Sequence, residues 1–256
     1  MALRRGRVAR RVIGFARTEA TIRRAKAKGA VDDACTELCP DWLGLSDLVV
    51  IATPPLAVPK IAREIARICP GRLALTDVAS TKSVIVRKVE QMLPDRISFV
   101  GAHPMAGSER SGIEAADPHL FDEAVCILTP TRKTNRVALG KVRRLWQGVG
   151  AQVRRMTPAQ HDELVAQVSH VPHLAAVALT LLPPAGALKL SGNGFADTTR
   201  VAMGDPKLWE EVCSTNHAEI SRSLDRYIAK LKDLRDSHSL QRELARAQRI
   251  RQGLRK

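Results

Sequence analysis

The run Leu48-Val49-Val50-Ile51-Ala52 limits the possible folds more than any other feature of the chain. It holds no polar side chain, and Asp47 before it and Thr53-Pro54-Pro55 after it mark its ends. A strand with one wet face alternates apolar and polar residues; an unbroken apolar run is what a parallel strand buried on both faces requires. Shorter strand-like runs recur at Val12–Ala16, Leu73–Val78, Ile97–Val100, Ala124–Thr129 and Gln152–Met156. Helix-like segments lie between them. Thr18 is placed to cap Glu19–Lys28, which Gly29 ends, and Ile61–Ile68, Ser80–Leu93 and Asn135–Val149 follow. Strand–helix alternation with buried strands predicts an α/β fold, doubly wound around a largely parallel sheet.

From Thr157 onward the strand pattern stops. Pro158–Leu182 reads as one long helix, kinked by Pro172 and ended by Pro183-Pro184. Asp205-Pro206 is a cap and first-turn proline for a helix running to about Asp233, and Leu240–Leu254 is a last, basic helix. The chain is therefore expected to divide into an α/β domain, residues 1–156, and an all-helical domain, residues 157–256.

Composition narrows the function classes. Of the 256 residues 45% are hydrophobic but only 3% aromatic, so the core must be aliphatic. The five cysteines are odd in number and irregularly spaced; only Cys35 and Cys39 lie close together, with no histidine to complete a zinc site. Reduced thiols in a cytoplasmic protein, with no metal, are the expectation. The net charge of +15 raises nucleic-acid binding. The basic residues are scattered and stacking aromatics are scarce, so a solvated surface or a field that draws anionic small molecules fits better. No segment reads as an uninterrupted membrane span. Residues 1–24 carry eight arginines and a single acid, Glu19, as transit peptides do. Yet Val8–Phe15 reads as a strand and Thr18–Lys28 as a helix, which points to a folded βα unit from the start.

Polar residues gather at consecutive strand ends. Gly101-Ala102-His103-Pro104-Met105-Ala106-Gly107 follows a sheet strand, and its small residues and proline are expected to hold one imidazole in a tight turn. Histidine suits proton transfer near neutral pH, and ligands bind at the carboxyl ends of strands in open α/β sheets. A structural turn histidine is the competing reading. Ser80, in Asp77-Val78-Ala79-Ser80-Thr81-Lys82, faces the same edge or caps the next helix. Thr53-Pro54 ends the strand before it. In the helical half, Ser169-His170-Val171-Pro172-His173 places two histidines on one helix face. No carboxylate stands near to make them a metal pair, so substrate contact or packing is expected. Arg200, in Asp197-Thr198-Thr199-Arg200, suits bidentate carboxylate binding or a surface ion pair.

Taken in order, three segments resemble the prephenate/arogenate dehydrogenase family of tyrosine biosynthesis. They are Gly101–Gly107 with Ser111-Gly112, Ser169–His173, and Phe195–Arg200 with Asp205-Pro206 and Trp209. The similarity runs from about Val12 to Asp233. It implies a Rossmann-like domain followed by a helical domain that carries substrate and makes a homodimer. It also implies oxidative decarboxylation of prephenate or arogenate with NAD or NADP. By that resemblance His103 is the catalytic histidine on the ring hydroxyl, and Ser80 orients it and the nicotinamide. Arg200 binds a substrate carboxylate, Ser169, His170 and His173 line the pocket, Glu109 sits at its rim, and Trp209 points toward the neighbouring subunit's site.

The sequence departs from the family pattern at its start. A strand and a G-x-G-x-x-G turn are expected ahead of Val12–Ala16, and the chain opens instead on Met1-Ala2-Leu3-Arg4-Arg5-Gly6. The sheet is thus expected to lack its first, central strand. Either Met1 is an internal methionine of a longer protein, or the chain is short and its hold on dinucleotide is crippled; the latter allows a remnant that only dimerises. Ala16 stands where an acid usually meets the adenosine ribose, and Arg17 and Thr18 could take a 2′-phosphate instead. Thr53, Pro54 and Ser80 complete the expected cofactor contacts.

Overall fold

A computed structural model describes residues 1–107 and 112–254. Among these residues seven strands run in chain order: β1 Ile13–Phe15, β2 Asp33–Cys35, β3 Leu48–Ile51, β4 Leu73–Asp77, β5 Ile97–Pro104, β6 Val125–Thr129 and β7 Gln152–Arg155. Helices of the first half are α1 Ala2–Arg5, α2 Glu19–Ala27, α3 Pro40–Gly44, α4 Ala57–Ile68, α5 Ser83–Met92 and α6 Arg136–Gly148. Those of the second half are α7 Pro158–Val165, α8 Val171–Leu181, α9 Ala185–Leu188, α10 Asn193–Thr199, α11 Pro206–Thr215, α12 His217–Arg235 and α13 Leu240–Gly253.

The doubly wound reading holds. β3, β4 and β5 pair in parallel, and their side chains alternate between two cores. Leu73, Leu75 and Phe99 pack with Val58, Ala62 and Ile65 of α4 and Ile85 and Val89 of α5 on one face. Ala74, Val100 and Leu128 pack with Ala138, Val142 and Trp146 of α6 on the other. Asn135 starts α6 by accepting the amides of Val137 and Ala138. The sheet is in two pieces, however. β1 pairs only with β2, and β3 is the edge of a five-stranded sheet ordered β3-β4-β5-β6-β7. This is the arrangement expected of a doubly wound sheet without its first strand.

Several expectations need correction. His103 does not sit in a turn. It lies in β5, which is parallel to β4 through Ile97–Val100 and then antiparallel to β6 through Gly101–Pro104. Gly101 is needed there, because a Cβ would lie 2.5 Å from Thr129 Oγ1 and 2.8 Å from a Val86 methyl. α5 begins at Ser83, so Ser80 is not its cap, and the expected single helix to Asp233 breaks at Asn216 between α11 and α12.

The long helix is also divided. Pro172 brings no N–H and its ring crowds the preceding turn, so the helix widens to a π turn over Ala166–His170, closed by the Val171 amide on Ala166 O. By length and composition Pro158–Leu181 is apolar enough to cross a membrane, at a hydropathy of 1.5, contrary to the sequence reading. Its buried face, however, carries His161, Asp162, His170 and His173, turned into the protein. Among the described residues no strand follows Arg155, as expected.

Candidate active site

Three consecutive strand ends meet the helical half at one edge of the sheet. Beyond β3, the Leu56 amide donates to Glu211 Oε2 of α11 at 2.9 Å. Beyond β4, Thr81 and Thr215 pair their hydroxyls at 2.9 Å. At the end of β5, His103 Nδ1 lies 2.8 Å from His161 Nε2 of α7.

The sequence reading missed the group that organises this edge. Asp162 Oδ1 accepts the Lys82 amide and its Oδ2 the Ser83 amide, both at 2.8 Å, so a carboxylate from the helical half caps α5. The same Oδ1 lies 2.8 Å from His161 Nδ1. Burial pushes the Asp162 carboxyl up, but the hydrogen bonds from His161, Ser83 and Lys82 outweigh it and hold the group below the usual carboxylate range. Behind it, the Asn216 amide donates to the Asp162 carbonyl at 2.9 Å and meets His170 Nδ1 at 3.2 Å. That is why the helix breaks at Asn216: its buried side chain ties α12 to α7 and the π turn.

Beneath His103 lies a fully buried ion pair, Lys82 with Asp77. Asp77 also accepts the amides of Ala79 and Ala102, so both its oxygens are engaged. Burial lowers the Lys82 ammonium pKa, and Asp77 opposes that shift. Burial, and then the neighbouring His161, Lys82 and His170, hold His103 well below the ordinary imidazole value of 6.5. His103 is therefore neutral at pH 7 and able to accept a proton. If it is the base, kcat/KM falls only as pH drops through this lowered pKa, so the acid limb of a pH–rate profile is expected below pH 6.5. An acid limb at or above that value would count against His103. Cys126, pushed up to about 12 chiefly by burial, is no competing acid or base.

The histidine pair of the helical half joins the same network. His170 is fully buried, and burial lowers it to about 4. His173 stacks on Trp209 with ring centroids 3.4 Å apart, and His170 meets the same indole edge-on at 6.0 Å. Trp209 thus lies against its own chain's histidines. Gly204 permits this, since a Cβ there would come within 2.4 Å of Trp209 Nε1. His173 also bonds the backbone of Val201, which brings the turn after Arg200 against the stack. His170 Nε2 and His173 Nδ1 are buried without a hydrogen-bond partner among the described residues. Both nitrogens are closed off from solvent by the rings packed around them.

The remaining expected residues fall as follows. Ser169 is half-buried in the π turn, and Arg200 is exposed at the start of a 3-10 turn running to Met203. Ser80 is half-buried three residues beyond β4, but among the described residues it makes no hydrogen bond to His103; His161 bonds that imidazole instead. Thr53 and Pro54 follow β3 at the same edge. Thr18 caps α2 and bonds the Thr21 hydroxyl at 2.9 Å, with Arg17 exposed beside it. Glu109 lies outside the described residues.

An apolar cleft of about 340 Å³ lies beside β1 and α2, lined among others by Phe15, Ala16, Ile22 and Ile113. Its lining is chiefly apolar, which suits a base rather than a phosphate.

Residues 1–155 match the family model described as prephenate dehydrogenase, nucleotide-binding domain, and residues 157–248 match prephenate dehydrogenase, dimerization domain. Prephenate dehydrogenase of Bacillus subtilis is 32% identical over 99% of this chain and 72% of its own length. Cyclohexadienyl dehydrogenase of Zymomonas mobilis is 30% identical over 83% of this chain and 74% of its own. Among solved structures, prephenate dehydrogenase from Aquifex aeolicus, in complex with hydroxyphenyl propionate and NAD+, superposes with a TM-score of 0.91 at 29% identity. The alignment covers 99% of this chain and 92% of that one.

Proposed function

Because the chain belongs to the prephenate dehydrogenase family, we propose that His103 is the base in an oxidative decarboxylation of prephenate or arogenate. The chain is an NAD(P)-dependent oxidoreductase of tyrosine biosynthesis. The observation that carries the residue-level reading is a buried, neutral imidazole at the carboxyl end of β5, held through its Nδ1.

In this reading His103 Nε2 takes the proton of the ring hydroxyl. Arg200 holds a carboxylate at the far end of the ring, and that fixed distance keeps the hydroxyl on the imidazole. His170, His173 and Ser169 line the wall beside the substrate side chain. Trp209 keeps the two rings in place. Arg17 and Thr18 meet the adenosine end of the cofactor, while Thr53, Pro54 and Ser80 flank the nicotinamide. When bound, the nicotinamide accepts the hydride from the carbon that bears the hydroxyl, and loss of carbon dioxide makes the ring aromatic.

Residues 1–156 are read as the dinucleotide-binding domain and 157–256 as the substrate and dimerisation domain. The exposed Leu181, Leu182, Leu190, Tyr227 and Leu231 of the helical half suit a homodimer face. A cytoplasmic location follows from the same reading. The test is turnover: prephenate and arogenate are each offered with NAD+ and NADP+, and the appearance of reduced cofactor is followed over time by its absorbance. Reduction with at least one pair is expected when a strand and glycine-rich loop are supplied ahead of Met1; none with any pair even then sinks the assignment.

A further inference from the structure

We propose that His161, anchored by Asp162, is a positioning residue that fixes His103 in the tautomer protonated at Nδ1, leaving the Nε2 lone pair for substrate. The proposal rests on the reading of His103 as the base. It follows from counting donors and acceptors along one line of contacts.

Asp162 receives backbone amides at both oxygens, and an amide can only donate. It is therefore a carboxylate acceptor, and the proton at the 2.8 Å contact with His161 Nδ1 belongs to the imidazole. His161 is fully buried, and burial keeps it below the ordinary imidazole value although Asp162 opposes the shift. A neutral imidazole carries one proton, so His161 Nε2 is an acceptor. At the 2.8 Å contact between the rings, His103 Nδ1 must then donate. Neutral His103 has no second ring proton, which places its lone pair on Nε2.

Left to itself, a neutral histidine carries its proton mainly on Nε2, the form in which Nε2 cannot act as a base. His161 reverses that preference. The same line serves the step itself. When Nε2 takes the hydroxyl proton, the Nδ1–H bond to His161 persists, and the Asp162 carboxylate stabilises the new cation through the intervening ring. Position matters too. Because Asp162 also caps α5 and Asn216 holds its carbonyl, the pair is fixed to both halves of the protein.

Nitrogen-15 spectra of the full chain labelled in histidine read the tautomer directly. His103 is expected protonated on Nδ1 and unprotonated on Nε2 at pH 8; the opposite assignment overturns the proposal without any variant. In His161→Leu, which removes the acceptor, kcat is expected to fall about 10²-fold with KM within about twofold, and the His103 signals to shift toward the other tautomer. His161→Gln offers an amide oxygen to Nδ1 and is expected to recover at least about tenfold of that loss. A His161→Leu enzyme with unchanged kcat, or with reduced kcat but an unchanged tautomer, overturns the proposal. If the chain turns over neither substrate even with the strand and glycine-rich loop supplied ahead of Met1, the functional reading fails, while the spectrum still decides the tautomer.

Discussion

His103→Asn is expected to lower kcat by about 10²–10⁴ while leaving the KM of the ring acid within about threefold. Asparagine fills much of the imidazole's space at the end of β5 but cannot accept the hydroxyl proton at neutral pH. The loss should therefore fall on the chemical step and not on binding, which in the proposed reading rests on Arg200, His170 and His173. Steady-state rates followed by cofactor absorbance check this. Tm should change little, because the neighbouring ladder of Gly101–Pro104 against β6 is a backbone pairing. A His103→Asn enzyme within about fivefold of wild type would remove this residue from the chemistry.

The largest stability effect is expected at Asp77. Its carboxylate pairs the buried Lys82 ammonium and accepts the amides of Ala79 and Ala102 at 3.2 and 3.0 Å. Asp77→Ala leaves a buried cation and two buried amides without partners, a loss of about 3–5 kcal/mol. For a chain of this size that corresponds to a fall in Tm of roughly 6–20 °C. Adding Lys82→Met removes the stranded charge, and the double variant is expected to regain a substantial part of the loss. Thermal unfolding by circular dichroism measures both. A Tm for Asp77→Ala within about 2 °C of wild type would mean that this pair contributes little.

These two residues differ in how far the sequence betrays them. His103 follows an apolar run and sits among small residues, so its place at a strand's carboxyl end is legible. What the pattern could not show is that the strand continues through Pro104, because Gly101-Ala102-His103-Pro104 looks like a turn and only β6 alongside makes it a ladder. β4 was legible for the same reason that it is buried throughout; β3 has the same apolar run but is an edge strand, half-buried except at Ile51, so burial on both faces, as its sequence led one to expect, is not what the fold provides. β2 was not: Asp33-Ala34-Cys35 has no apolar periodicity, and its pairing to β1 alone makes it a strand. Lys82 gave a weak sign, a lysine followed closely by Val84-Ile85-Val86 and preceded by Asp77, but burial of that head group is a tertiary fact.

The missed part of the site is more instructive. His161 lies 58 positions after His103, and nothing in a local motif links them. The available signal was a His-Asp pair in the first turns of a helix whose apolar face both residues share with Val165 and Ala166. Polar residues on a buried helix face have to find partners, and the strand ends are the nearest polar surface. Asn216 offered a similar sign: a poor helix residue inside a helical stretch, which proved to be the break and the brace behind Asp162. Ser80, by contrast, was legible as a strand-end hydroxyl, yet the described hydrogen bond to His103 comes from the helical half.

A crystal structure of the chain with NAD+ and a hydroxyphenyl acid tests most directly whether His103 and Arg200 grip opposite ends of one ring. The phenolic oxygen is expected within about 2.6–3.2 Å of His103 Nε2, with the acid group on Arg200 and the ring between His170 and the end of β5. A ligand seated in that crevice with its hydroxyl out of reach of the imidazole, or an Arg200 guanidinium turned away from any acid, would contradict it.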